Sequence, residues 1–564
     1  MKIFSEFARK FEHLSPKFAC LGKKLEHFCS YSCKKLSCFS QSCQSLIWLL
    51  FRFVVFHVKP VWVLLTYLIV GSLVGYWALK VSKPRTTSFR PRDLDVFFTS
   101  VSAITVSSMS TVEMEVFSNT QLVTMTILMF VGGEVFTSML RLQLARSKLS
   151  QNRQKIENRV GSNAVDVNHH TSSIHNNLVN QIELGLVTSP QLENEKPETD
   201  VVHELNCLDS ESLKYNSIMA LGYVVLGYIL VVLVVGSGLV SLYLSLVPSG
   251  SRILKNKGLD IQTFSVFTTV SSFTNCGFIP TNENMVTFKG NPGLLLLLIP
   301  QILMGNTLYP PCLLFVIWVL KKATKRAEFG YILGNYRDLG YYHLLSGPRA
   351  ALLVVTVFGF LLIQLALFCP MEWNSGVMDG LDAYQKIVSS LFQVVNSRHA
   401  GENVFEFSLI SPAILVLFVV IMYLPSYTTF IPTNGLDQVS KNGKGSCQNR
   451  RTTFVDRLML SQLSYLAIFI ILICFTERQK MKDDPLNFSV LSIVLEVISA
   501  YGNVGYTTGY SCKLQLKPDS SCKDTWSGFV GRWSSKGKFI LIIVMLFGRI
   551  KKFSVKGGRA WKLS

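Results

Sequence analysis

The sequence predicts an all-α polytopic membrane protein in which a span, a short half-helix and a second span repeat four times. Three observations predict it. Only 16% of the 564 residues are charged while 49% are hydrophobic, where soluble domains carry about 25% charge. The apolar residues are gathered into uncharged runs that match the roughly 20 residues of helix needed to cross a bilayer core. Between the two runs of each successive pair lies a moderately apolar segment, often rich in Ser and Thr, too short and polar to cross, and this segment recurs four times. A formal net charge of +20 in so apolar a chain does not describe a soluble nucleic-acid binder. The apolar content excludes whole-chain disorder, and size excludes a disulfide framework.

The elements follow in chain order. Met1 to Ser45 is rich in Lys and Cys and lacks an apolar core followed by a small-residue cleavage site, so no signal peptide is expected. The uncharged spans are Val61 to Leu79, Tyr215 to Ser251, Asn291 to Leu320, Ala350 to Cys369, Phe407 to Leu436 and Leu458 to Thr476. Val116 to Gly133 continues past Glu134 to Leu140 as another, and Phe539 to Phe547, short by itself and ending at Gly548 and Arg549, completes eight. The half-helix segments begin near Asp95, Ile261, Ala383 and Asn487. The expected division is a basic, Cys-rich cytosolic region 1–59, a first repeat 60–141, a cytosolic loop 142–214, a second repeat 215–320, a loop 321–348, a third repeat 349–436, a loop 437–456, and a fourth repeat with its tail, 457–564.

Orientation comes from Lys and Arg in the connections. The tail with Lys2, Arg9, Lys10, Lys17, Lys23, Lys24, Lys34 and Lys35 is expected in the cytosol, together with Arg141 to Arg159, Lys321 to Arg326 and Lys551 to Lys562, so both termini are cytosolic. Lys80, Lys83, Arg85, Arg90 and Arg92 disagree, since they fall outside. The long hydrophilic stretch from Ser147 to Leu213 reads as a cytosolic loop, and its His169 and His170 lack partners at metal-ligand spacing. Of 13 cysteines, five lie in the first 43 residues beside lysines, as in a reduced cytosolic tail, where palmitoylation is the minority reading. Cys512 and Cys522 form a compact pair, and an external bridge and two free thiols are equal alternatives there.

Aligned, the four segments read VFFTSVSAITVSSMST, FSVFTTVSSFTNCGFIPTNEN, IVSSLFQVVNSRHAGEN and SVLSIVLEVISAYGNVGYTTGY. Each breaks at a small residue, Ser108, Gly277, Gly401 or Gly505, preceded by the pairs Val106 and Ser107, Asn275 and Cys276, His399 and Ala400, or Asn503 and Val504. Six residues before the breaks stand Ser102, Ser271, Val395 and Ser499. A half-helix that ends in glycine between two spans is a pore-loop hairpin. Irregular backbone at membrane depth is tolerated only where protein buries it or it lines a water-filled path. Glycine lets a carbonyl turn toward an ion, carbonyls around an axis replace a cation's hydration shell, and the helix C-termini aim their negative ends at it. The expected architecture is eight transmembrane helices and four pore helices around a central cation pore.

These motifs resemble the plant high-affinity potassium transporter (HKT) family, which includes sodium transporters and groups with the bacterial Trk and Ktr potassium uptake systems. The resemblance covers residues 60 to 564 and rests on KPRTTS, FFTSVSAITVSSMSTVEMEVFSNTQ, TNCGFIPTNENM, LMGNTLYP, LFQVVNSRHAGE and ISAYGNVGYTTGYSC; the N-terminal tail and the detail of the large loop have no counterpart. It implies a plasma-membrane homodimer with one pore per protomer and a selectivity filter at Ser108, Gly277, Gly401 and Gly505, where the transported Na+ would bind. Serine at the first filter position implies sodium preference, retrieval of sodium from xylem and salt tolerance. The alternatives are sodium-potassium symport or unselective alkali-cation uptake, with K+ also carried. A basic residue in the last helix, here Arg549, is implied as a pore barrier, and snorkelling at a cytosolic helix end is its bland alternative.

Other charges carry weaker expectations. Glu113, Glu115, Glu283 and Glu402 would line the outer mouth, although a solvated or capping role is expected for each. Glu134 is expected as a structural partner at a helix interface, with an ion-path role as the minority reading. Asn487 heads an N-glycosylation sequon, with its closeness to the fourth pore helix against occupancy. No nucleotide loop, metal-binding helix motif or nucleophile elbow is in place, so neither an enzyme nor an ATP-driven pump is expected, nor any cofactor or nucleic-acid partner.

Overall fold

The computed structural model describes residues 60–85, 90–147, 149–150, 198–429, 462–516, 522–525 and 528–554. The basic Cys-rich region 1–59, His169 and His170, and the 437–456 loop lie outside the described residues. Of the unit Met1–Thr66, only the start of the first helix is described, and the unit Tyr67–Ser564 holds all that follows.

The first repeat is α1 (Pro60–Val81), α2 (Asp93–Ile104), α3 (Asn119–Gly132) and α4 (Glu134–Ser147). The second is α5 (Glu198–Leu246), α6 (Pro248–Asn256), α7 (Ile261–Thr274), α8 (Pro292–Met304) and α9 (Tyr309–Thr324). After α10 (Ala327–Gly334), the third holds α11 (Gly347–Glu372), α12 (Ala383–Asn396) and α13 (Pro412–Tyr423). The fourth holds α14 (Gln462–Thr476), α15 (Arg478–Asp483), α16 (Val490–Gly502) and α17 (Ser535–Ser554). This is an all-helical, multi-pass membrane architecture built from pore repeats; among the described residues the only β pairing is the isolated bridge Tyr510–Thr525.

Length and composition separate the two helix types. The spans α1, α5 and α11 are long and apolar enough to cross a membrane by themselves. Two helix pairs are long and apolar enough only when taken together, α3 with α4 bent by 54° and α8 with α9 by 80°. These bends, and the break at Val247 before α6, interrupt runs that the apolar pattern reads as continuous. The sequence reading also makes the last span too short; α17 begins at Ser535, 14 residues before Arg549, which is about 21 Å of helix.

The half-helices α2, α7, α12 and α16 are buried on nearly every side. Their Ser and Thr content fits that position, because a hydroxyl in a dry interior needs a local acceptor. Thr99, Ser265, Thr274 and Ser390 donate to the carbonyls four residues back, at 2.9, 2.7, 2.8 and 2.7 Å. Three half-helices start on polar caps. Asp260 accepts from Thr263 N at 3.0 Å, Asp382 forms a capping box with Gln385, and Ser489 accepts from Ser492 N at 3.1 Å. The fourth, α2, instead carries Asp95 in its first turn.

The repeats close into a ring. Each half-helix packs on the second span of the preceding repeat, α7 on α3, α12 on α8, α16 on α13 and α2 on α17. The last contact joins the end of the chain to its beginning. It is fixed by a buried ion pair, Lys538 Nζ to Asp95 Oδ1 at 2.6 Å.

Candidate functional site

Where each half-helix ends, the backbone turns left-handed. Val106 and Ser108 have φ of +52° and +51°, Asn275 and Gly277 +57° and +90°, Ala400 and Gly401 +56° and +66°, and Asn503 and Gly505 +48° and +100°. The four break residues lie side by side. A Cβ added to Gly277 would overlap the Ala400 carbonyl oxygen and stand 3.3 Å from Ser108 Oγ. One on Gly401 would overlap the Val504 carbonyl oxygen, and one on Gly505 would overlap Ser108 Cβ. The order 108, 277, 401, 505 and back to 108 is therefore a closed ring, tight enough that only glycine suits three of its positions. Ser108 holds an L side chain in a region that costs about 1–2 kcal/mol, and its hydroxyl enters the ring.

The serine six residues upstream has a definite task in two repeats. Ser271 Oγ accepts the Gly277 N–H at 2.9 Å and Ser499 Oγ accepts the Gly505 N–H at 3.0 Å, so each loop is tied to its own helix. The third repeat has Val395 there and solves the problem one residue on, with Asn396 Oδ1 accepting from Glu402 N at 3.1 Å. Its left-handed pair is correspondingly Ala400 and Gly401, and His399 is outside it; an alignment at a fixed spacing misses this shift.

Behind the ring the structure places side chains that the sequence reading passed over. Gln393 Oε1 accepts from Val404 N and Phe405 N at 3.0 and 3.3 Å. Glu496 Oε1 takes Thr507 Oγ1 and Thr508 N at 2.5 and 3.0 Å. These are the same brace in consecutive repeats, 11 and 12 residues long. Tyr506 OH adds a bond from the fourth loop to the Gln393 carbonyl. Glu402, expected either at the outer mouth or in a solvated or capping role, is fully buried, and Ser272 Oγ of the neighbouring half-helix donates to its Oε1 at 2.6 Å.

A second set of glycines lies in the second spans. A Cβ on Gly132, Gly305 or Gly548 would overlap the carbonyl oxygen of Ile104, Phe273 or Tyr501, in each case the residue four before the ring position. The spans can approach the half-helix ends only through these glycines. In the third repeat α13 stops at Tyr423, and Arg398 Nη2 donates to the Pro425 and Ser426 carbonyls at 2.6 and 3.2 Å.

Arg549 follows Gly548 and is 1% exposed. Its guanidinium donates to the Gly132 carbonyl across the ring closure. It is not a snorkelling residue at a helix end, since α17 continues to Ser554. Glu134 is half-buried, and no hydrogen bond from the described residues reaches its Oε2.

The loops beyond the ring are clamped. Lys257 Nζ pairs with Glu115 Oε1 and Glu283 Oε2, each at 2.6 Å, and Asn282 Nδ2 donates to Glu113 Oε2 at 3.3 Å. These glutamates therefore join the first and second repeats. A disulfide links Cys512 and Cys522 after the fourth loop. Asn487 is a poor glycan acceptor, because it is buried and its Nδ2 is bound to Asp484 Oδ2 at 2.9 Å and to the Ser511 carbonyl at 3.0 Å. No group of three or more His, Cys, Asp or Glu suited to a metal ion occurs among the described residues.

Comparison with known proteins supplies the family. The TrkH family model, described as cation transport protein, matches residues 203–434 and 437–561. The cation transporter HKT1;3 of Oryza sativa subsp. japonica is 48% identical over 541 residues, covering 96% of this chain and 98% of that protein. The sodium transporter HKT1 of Arabidopsis thaliana is 52% identical over 489 residues, covering 86% and 92%. The crystal structure of the potassium transporter TrkH from Vibrio parahaemolyticus aligns at 13% identity and a TM-score of 0.46, over 88% of this chain and 84% of that one. The chain belongs to the plant HKT family of cation transporters, which are membrane transport proteins and not enzymes.

Proposed function

We propose that this protein is a passive sodium transporter of the plasma membrane that moves Na+ down its electrochemical gradient through a filter of Ser108, Gly277, Gly401 and Gly505. The observation that carries the reading is Ser108 itself. Three positions of the ring are glycine and offer backbone carbonyls alone, while the first carries a side chain at φ +51° beside Gly505. A narrowed, asymmetric ring holds a larger, weakly hydrated ion less well than a small one. The name of the Arabidopsis thaliana relative, a sodium transporter 52% identical, agrees with this reading. The flanking residues Val106, Ser107, Asn275, Cys276, His399, Ala400, Asn503 and Val504 shape the inner end of the filter. Arg549 acts as an electrostatic barrier below it. Cytosolic termini, a homodimer with one pore per protomer, and retrieval of sodium from xylem in salt tolerance complete the reading and follow the family resemblance.

Two-electrode voltage clamp in oocytes, with sodium and potassium exchanged in the bath, tests it. The wild-type reversal potential should follow Na+ alone, and Ser108→Gly should raise the potassium-to-sodium permeability ratio; an unchanged ratio would remove the role given to Ser108. Arg549→Gln should increase current at fixed surface expression, and a decrease would count against the barrier. Sodium-potassium symport or unselective alkali-cation passage draws on the glycines at three of the four ring positions, and predicts reversal potentials that follow both ions.

A further inference from the structure

Two asparagines below the ring are held alike and leave the same atom without a partner. Asn275 Nδ2 donates to the Phe273 and Ile302 carbonyls, both at 3.1 Å. Asn503 Nδ2 donates to the Ala500 and Met545 carbonyls at 3.3 and 3.2 Å and to Ser107 Oγ at 2.8 Å. Ile302 and Met545 each stand three residues before the span glycine, Gly305 or Gly548, so the two amides occupy equivalent places. Carbonyl oxygens can only accept, which fixes the amide orientation with nitrogen toward the protein. The oxygens Asn275 Oδ1 and Asn503 Oδ1 then have no donor, although the residues are only 4% and 2% exposed.

A buried acceptor without a donor costs about 1–3 kcal/mol, and here the same omission recurs at equivalent positions of two repeats. Repeats two and four are diagonal in the ring, so these asparagines stand opposite one another, two residues to the inner side of Gly277 and Gly505. One step further along the second span, Asn306 Oδ1, directly after Gly305, is a third buried oxygen without a donor. Neutral amide oxygens suit a hard monovalent cation that keeps part of its water.

We propose that Asn275 Oδ1 and Asn503 Oδ1 form an alkali-cation subsite on the inner side of the ring, with Asn306 Oδ1 at its lower edge and Arg549 beyond it. The subsite receives the ion as it leaves the carbonyl ring, before it passes the Arg549 charge. The proposal rests on the sodium-transport reading above.

The test uses the full chain in oocytes and reads the external Na+ concentration that gives half-maximal current, for Asn503→Leu and Asn503→Asp, with the same pair at Asn275. If the oxygens hold the cation, leucine raises the half-saturating concentration about threefold to tenfold. Aspartate, which adds charge at the same atom, lowers it. Shifts of the same sign in both variants, loss of current in both, or no shift in either would overturn the subsite and leave the asparagines as braces satisfied by water. Wild-type current recorded alongside separates the two readings: with it intact, such results remove the subsite alone, whereas a wild-type chain that passes no Na+ removes the transport reading as well.

Discussion

A methyl group at residue 305 would occupy the space of the Phe273 carbonyl oxygen. Gly305→Ala must therefore push α8 away from the end of α7, and overpacking of this kind costs about 1–3 kcal/mol. The expected outcome is a lower melting temperature of the purified protein together with reduced cation current. By contrast, Gly227 has open space where a Cβ would stand, so Gly227→Ala should leave both readouts near wild type. The two glycines look alike in the sequence, each lying in an apolar run. What separates them is a carbonyl from another element. Ser108, Gly277, Gly401 and Gly505 were legible because they recur at the ends of similar segments; Gly132, Gly305 and Gly548 recur as well, but inside spans where glycine is common.

For the half-helix as an element, the upstream serines give a graded prediction. Ser499 Oγ accepts the Gly505 N–H, and alanine there strands a buried donor at about 1–3 kcal/mol. Ser102 stands at the same position in the first repeat, and its hydroxyl has no partner among the described residues. Ser499→Ala should shift the reversal potential in mixed sodium and potassium baths, whereas Ser102→Ala should not; equal effects would mean that the serines act through helix packing alone. The spacing of these serines was visible in the sequence alignment. Their different tasks were not, since a hydroxyl's partner depends on the local turn. The braces of Gln393 and Glu496 were hidden for a similar reason: they join atoms 11 and 12 residues apart through a loop whose path is not periodic.

At the scale of the whole molecule, the ring needs a seam where its last repeat meets its first. Asp95 and Lys538 lie there, 8% and 6% exposed, at 2.6 Å. Removing one partner of a buried pair costs about 3–5 kcal/mol because the other charge is left alone, while replacing both is close to neutral. Asp95→Asn or Lys538→Met singly should therefore lower the melting temperature and surface expression, and the double variant should recover most of both. A double variant as poor as the worse single one would show that the pair does not act as a unit at the seam.

The sequence by itself determined the membrane-spanning class, the fourfold recurrence of short half-helices between apolar runs, and the small residue that follows each half-helix. These follow from composition, run length and local backbone chemistry, which act between near neighbours in the chain. Only the tertiary structure decided that the repeats close on themselves, that Glu402 and Arg549 are buried, that the left-handed pair of the third repeat is Ala400 and Gly401, and that two asparagine oxygens are left without a donor. Each of these depends on atoms distant in sequence meeting within about 3 Å, and neither hydropathy nor spacing carries that information.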